Sequence, residues 1–272
     1  MFTAKVGDIN ICYEVAGEGE PLLLIMGYGA SSHWWFPQIP AFSQEYRVIT
    51  FDNRGTGQSD KPDKPYTLEM MAADAAGLLE AIGIDSTHVF GVSMGGMIAQ
   101  EFALRYPGKV TSLILGCTMP GGHNMVMPDQ EASTVLFDME RKQQLTLEEQ
   151  ARELLPFLFS QEFIDKKPDI IDALIADMLE YPTPPHGYKR QGEAVMGFNA
   201  YDRLPDIKAS TLVIAGAADR LIPVENSRIL ASRIPGAELV IFEDMGHGFT
   251  GEAPEEANKA VLDFLRRHRS SK

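Results

Sequence analysis

Two apolar patterns alternate along most of this chain. Residues 21–26, 47–51, 88–90, 110–117, 211–215 and 238–242 are near-continuous apolar runs, the signature of strands buried on both faces. Between them the apolar positions fall at helical spacing. Thr67 predicts an N-cap for a helix to Ile82, with Leu68, Met71, Ala75, Leu78 and Ile82 on one stripe and Gly83 closing it. Residues 94–106 read as a helix stopped by Pro107-Gly108. Pro223 and Pro254 each stand at the first position of a predicted helix, and Ala257, Val261, Phe264 and Leu265 form the inward stripe of the last one. Strands alternating with helices predict an α/β fold, a mostly parallel sheet with helices on both faces. Residues 9–15 read as its edge strand, followed by the turn Ala16-Gly17-Glu18-Gly19.

The alternation stops at Met119-Pro120-Gly121-Gly122. From there to about residue 202 no strand-like run occurs. The segment is amphipathic and rich in Met and Phe, with breaks expected at Pro156, Pro168 and Pro182-Thr183-Pro184-Pro185. It reads as a helical cap, 120–202, inserted into a core domain made of 1–119 and 203–272.

Composition narrows the partners. A chain of 272 residues with 44% hydrophobic and 23% charged residues is globular. Its formal net charge of −14 disfavours nucleic acid, which needs clustered Lys and Arg. The basic cluster Arg266-Arg267-His268-Arg269 is expected to complement the dipole of the last helix. Two cysteines, Cys12 and Cys117, cannot form a disulfide framework and point to a reducing, cytoplasmic setting. Both lie in strand-like runs, where a buried thiol is inert. No apolar run reaches transmembrane length, so no membrane partner is expected. The pattern leaves the oligomeric state open, a homodimer included. No His or Cys spacing suggests a metal ligand set, and no cofactor motif occurs.

Candidate chemistry centres on Gly91-Val92-Ser93-Met94-Gly95, which joins a predicted strand to a predicted helix. That context makes G-x-S-x-G a nucleophile elbow, with a strained serine raised above the sheet edge. A serine hydroxyl needs a base. Of six histidines, His247 follows the last strand in Asp244-Met245-Gly246-His247-Gly248, at the carboxyl edge where open α/β sheets build their sites. Asp219 follows the strand at 211–215 at the same edge, and the order Ser93, Asp219, His247 is that of elbow hydrolases. Asp244 is the rival acid, better suited to the turn. Two backbone N–H groups would complete an oxyanion hole. One is that of Met94; the other comes from Gly27-Tyr28-Gly29, with Tyr28 preferred over Gly27. The run from Asp52 to Ser59 reads as a structural loop.

Together, Met26-Gly27-Tyr28-Gly29, Asp52-x-Arg54-Gly55-x-Gly57-x-Ser59, Gly91-x-Ser93-x-Gly95-Gly96, Gly216-x-x-Asp219 and Gly246-His247 resemble serine members of the α/β-hydrolase superfamily. The resemblance spans nearly the whole chain and implies the α/β-hydrolase fold, with a sheet of about eight strands and a cap after the sixth. Ser93 departs from the aspartate nucleophile of dehalogenase and epoxide-hydrolase relatives. Met26-Gly27 stands where many relatives carry His-Gly. Residues 91–100 resemble the elbow of enol-lactonases and small esterases, and residues 24–27 are closer to methylesterases of polyketide pathways.

The pocket is expected between cap and sheet, where Gly27, Gly29, Trp34, Met119, Ile222 and Phe249 would contact substrate beside Tyr28 and Met94. Met125, Met127, Phe137, Phe157 and Phe159 could roof it. Apolar, Met-rich walls suit a carboxylic ester or lactone with a neutral acyl or aromatic part, cleaved through an acyl-enzyme. Rival readings are C–C bond hydrolysis, cyanohydrin cleavage, a small-molecule receptor and a non-catalytic scaffold. Val92 stands where C–C-cleaving relatives often place Asn, against the first of these.

Overall fold

The computed structural model describes residues 1–269. Eight strands form one sheet: β1 (Phe2–Val6), β2 (Ile9–Ala16), β3 (Glu20–Ile25), β4 (Tyr46–Phe51), β5 (Thr87–Val92), β6 (Val110–Gly116), β7 (Ser210–Gly216) and β8 (Glu238–Phe242). Their order across the sheet is β1-β2-β4-β3-β5-β6-β7-β8. From β4 to β8 all neighbours pair in parallel, while β2 pairs antiparallel with both β1 and β4.

The apolar runs are continuous because both faces are covered. Side chains alternate across a strand, so Leu23, Ile25, Val89, Leu113 and Val213 pack with helices Leu68–Ala81 and Met94–Arg105. Leu22, Leu24, Phe90, Ile114 and Leu212 pack instead with Ala257, Val261, Phe264 and Leu265 of helix Pro254–Arg267. Thr67 caps the first of these helices by accepting from the Met70 N–H, and Gly83 follows it at φ +71°.

The edge strand is β1 rather than residues 9–15, which occupy the second place. In β1 only Ala4 and Val6 face inward, too short an alternation to stand out. Gly7, at φ +53°, carries the tight turn between β1 and β2. Pro156 does not break its helix but sits inside Leu147–Leu158, near its end. The helix expected at Pro223 starts at Glu225, after a turn in which the Pro223 carbonyl accepts from the Asn226 N–H at 2.9 Å. The terminal basic cluster does more than face a helix end. Arg266 and Arg269 pair with Glu45, and Arg267 pairs with Glu238, tying the last helix to neighbouring elements.

Between β6 and β7 the chain forms helices Gln130–Phe137, Met139–Gln143, Leu147–Leu158, Gln161–Lys166, Pro168–Glu180 and Pro185–Met196. Four of them, Gln130–Phe137, Leu147–Leu158, Gln161–Lys166 and Pro168–Glu180, share an apolar cluster that includes Ala132, Leu155, Phe163 and Leu174 and reaches Leu221 beyond β7. Ala194 and Val195 of Pro185–Met196 join the core cluster of the sheet instead. An antiparallel bridge from Gly121 to Asn199 joins the two ends of the segment.

Candidate active site

β5 delivers Ser93 to the start of helix Met94–Arg105 at φ 56°, ψ −124°. A non-glycine residue held there costs about 1–3 kcal/mol, and the surroundings fix it. The Ser93 N–H donates to the Gly116 carbonyl at 2.9 Å, and the Ser93 carbonyl accepts from the Thr118 hydroxyl at 2.7 Å. Strand and helix meet so closely that a Cβ on Gly91 would lie 2.1 Å from the Gly95 carbonyl oxygen, and one on Gly95 2.0 Å from that of Ile25.

The carboxyl edges of β7 and β8 bring Asp219 and His247 together. One Asp219 carboxylate oxygen lies 2.7 Å from His247 Nδ1, and the other accepts the N–H groups of Leu221 and Ile222, both at 2.8 Å. Asp219 is therefore held from two sides and is 5% exposed, His247 8%. Asp244 is exposed in the turn after β8. The other histidines are engaged elsewhere: His33 on Asp177, His88 on Ser112, His123 on Asn124, His186 on the Lys61 carbonyl and His268 against the Phe264 ring.

Ser93 and His247 line one cavity of about 150 Å³. Among the described residues no hydrogen bond joins them in this conformation. Catalytic contacts often tighten only when substrate arrives. Met94 opens its helix, so its N–H has no intrahelical partner. Gly27 lies against Ser93, where a Cβ would sit 3.1 Å from that of the serine. For the Tyr28 N–H no protein acceptor occurs among the described residues. Asp52 is structural, its carboxylate accepting the N–H groups of Ser32 and Gln58 at 2.7 Å.

Gly27, Tyr28, Gly29, Trp34, Met94, Met119 and Ile222 all line the cavity. Phe249 does not. It begins the short helix Phe249–Glu252, is fully buried, and packs on Phe242 beneath the sheet edge, leaving Gly248, Thr250 and Gly251 at the wall. Of the expected roof, Met125, Met127, Phe137 and Phe159 contribute, whereas Phe157 lies under the Arg220 guanidinium, away from the cavity.

Several lining residues escaped sequence reading, among them Met97, Leu158, Leu174, Tyr188 and Val195. Helical spacing announces such residues without telling which face meets a cavity. Cys117 is another: it follows β6 at φ 38° and lines the same space. Burial pushes its thiol well above the usual range, so it stays protonated and is no rival nucleophile. Burial likewise raises the Tyr28 phenol and lifts that of Tyr188 to about 12. Among the described residues no Lys, Arg, Asp or Glu lines the cavity.

Residues 20–254 match the model of the alpha/beta hydrolase fold family. The chain belongs to that family. A protein of Azorhizobium caulinodans named as a carbamate hydrolase is 30% identical over 263 residues, covering 96% of this chain and 97% of that protein. The enol-lactonase of Burkholderia xenovorans LB400 has the same fold with a TM-score of 0.85 and 26% identity, over 97% of this chain and 99% of its own. A thermophilic esterase from Thermogutta terrifontis, solved with malate bound, gives 0.86 and 28% over 99% and 100%. The helical segment lies between β6 and β7. No helix among the described residues of the chain is long and apolar enough to cross a membrane.

Proposed function

We propose that this α/β-hydrolase is a serine esterase or lactonase acting on an uncharged carbonyl substrate with an apolar acyl or aromatic part. The observation that carries the reading is the Asp219–His247 pair at 2.7 Å, facing an uncharged cavity that also holds the strained Ser93. Residues 120–202 serve as its cap. A cavity of about 150 Å³ is the size that a benzene-sized group fills.

His247 takes the hydroxyl proton as Ser93 Oγ attacks the carbonyl carbon, and the amides of Met94 and Tyr28 stabilise the resulting oxyanion. Asp219 holds the imidazole tautomer and stabilises the imidazolium. The tetrahedral species collapses as His247 returns the proton to the leaving alkoxide, giving the acyl-serine and an alcohol. Water, deprotonated by the same imidazole, then releases the acid and regenerates Ser93. The enol-lactonase and esterase among the similar structures support this reading.

The test is hydrolysis of p-nitrophenyl esters from acetate to decanoate by wild type, Ser93→Ala and Asp219→Asn. Wild type should turn over within seconds, Ser93→Ala should lose at least about 10⁴-fold in kcat, and Asp219→Asn about 10³–10⁴-fold. Wild type no faster than Ser93→Ala on every ester would remove the reading. The resemblance to a protein named for carbamates gives a second substrate to run alongside, an uncharged aryl carbamate. Faster release of p-nitrophenol from it than from any ester would move the assignment there.

A further inference from the structure

The peptide that would present the Tyr28 N–H lies between two clamped neighbours. On one side the Met26 carbonyl accepts from the Asn53 amide at 2.9 Å. On the other, the Gly29 N–H donates to Gln191 Oε1 at 2.9 Å, and the Gly29 carbonyl accepts from the Thr183 hydroxyl at 3.0 Å. Gln191 is fully buried on helix Pro185–Met196 and uses its Nε2 on the Arg54 carbonyl at 2.9 Å. Thr183, also buried, lies 2.7 Å from the Thr56 hydroxyl, which donates to it once the Thr183 proton serves Gly29. A third anchor is the Tyr28 phenol, which donates to the Tyr188 carbonyl at 2.9 Å.

Contact is close enough to demand glycines. A Cβ on Gly29, at φ +69°, would lie 2.4 Å from the Tyr188 ring, and one on Gly187 2.4 Å from the Gly55 carbonyl oxygen. Gly29 thus has its N–H and its carbonyl satisfied by side chains from the helical segment, not by its own loop.

We infer that the oxyanion hole is set from the helical segment, with Gln191 and Thr183 as positioning residues for the Tyr28 amide. This rests on the serine-hydrolase reading above. Without the two bonds, the 28–29 and 29–30 peptides are free to rotate. The 27–28 peptide then loses its anchor on that side, and the Tyr28 N–H that it carries swings away from the carbonyl oxygen being reduced in bond order at Ser93. An oxyanion donor acts by being fixed before charge develops, so its loss of position is felt in the transition state more than in substrate binding.

The experiment compares wild type with Gln191→Met, Thr183→Val and Thr183→Ser on p-nitrophenyl butyrate. It also measures inhibition by a trifluoromethyl ketone, whose adduct with Ser93 carries an oxyanion, and by the butyramide of matching length, which carries none. Expected for Gln191→Met and Thr183→Val is a fall in kcat of about 10–10²-fold, below the full loss of a donor, with KM within about two-fold. Affinity for the trifluoromethyl ketone should fall in parallel while that for the amide holds, and Thr183→Ser should recover most of both. Wild-type kcat and ketone affinity in Thr183→Val, with only the thermal midpoint lowered, would reduce these bonds to structural ties; that pair decides even if Gln191→Met does not fold. Wild type inactive on the ester would overturn the serine-hydrolase reading itself, a result distinct from active variants.

Discussion

Ile222 and Phe249 each stand a few residues beyond a member of the Asp219–His247 pair, yet only Ile222 reaches the cavity. Adjacency in sequence placed both at the site; the direction of a side chain at the start of a short helix is set by what lies beneath it. Phe249→Ala should therefore act as a core truncation, costing about 3–5 kcal/mol of stability and leaving the acyl-length preference unchanged. Ile222→Ala should shift that preference toward bulkier acyl groups. Urea denaturation beside the p-nitrophenyl series separates the two, and an altered length optimum in Phe249→Ala at full stability would return Phe249 to the wall. The placement of Ser93, Asp219 and His247 at one sheet edge is legible because each follows, directly or through a short loop, a strand whose pattern is plain. Gln191 and Thr183 were not, because their bonds to Gly29 span 162 and 154 residues and no local pattern marks them.

At the scale of elements, legibility followed burial. Strands covered on both faces, such as β3 and β5, write themselves as apolar runs, whereas β1 at the edge buries two side chains and is nearly silent. The helical segment showed its periodicity, but helices sandwiched between a cavity and their own cluster have two apolar faces, and spacing cannot assign them. The elbow is the exception in which a local motif dictated a contact. At Gly95 a Cβ would meet backbone of Ile25 at 2.0 Å with nothing flexible to yield. Gly95→Ala should cost at least about 2 kcal/mol. Gly108→Ala, with none of the described residues within 4 Å of its Cβ, should stay within about 0.5 kcal/mol. Equal thermal midpoints for the two variants would mean that the elbow can open, and the strain assigned to Ser93 would lose its support.

The whole molecule adds an electrostatic constraint that no single residue shows. Its net charge is −14, and among the described residues no Lys or Arg lines the cavity to pair with a bound anion. A carboxylate on the acyl chain would meet two penalties. One is long-range repulsion, which salt screens over about 10 Å at 0.1 M. The other is desolvation inside an apolar wall, several kcal/mol for an unpaired ion, which salt does not relieve. p-Nitrophenyl butyrate and mono-p-nitrophenyl succinate differ at the acyl tip, where a methyl becomes a carboxylate. The succinate should be hydrolysed at least about 10²-fold more slowly in kcat/KM, since each 1.4 kcal/mol is tenfold. Raising the salt should close only a small part of that gap, because desolvation dominates it. A gap that vanished at high salt would place the carboxylate in solvent and the acyl tip outside the cavity. Equal turnover at every ionic strength would require a cationic partner for the carboxylate, and the neutral-acyl assignment would then give way to an anionic substrate.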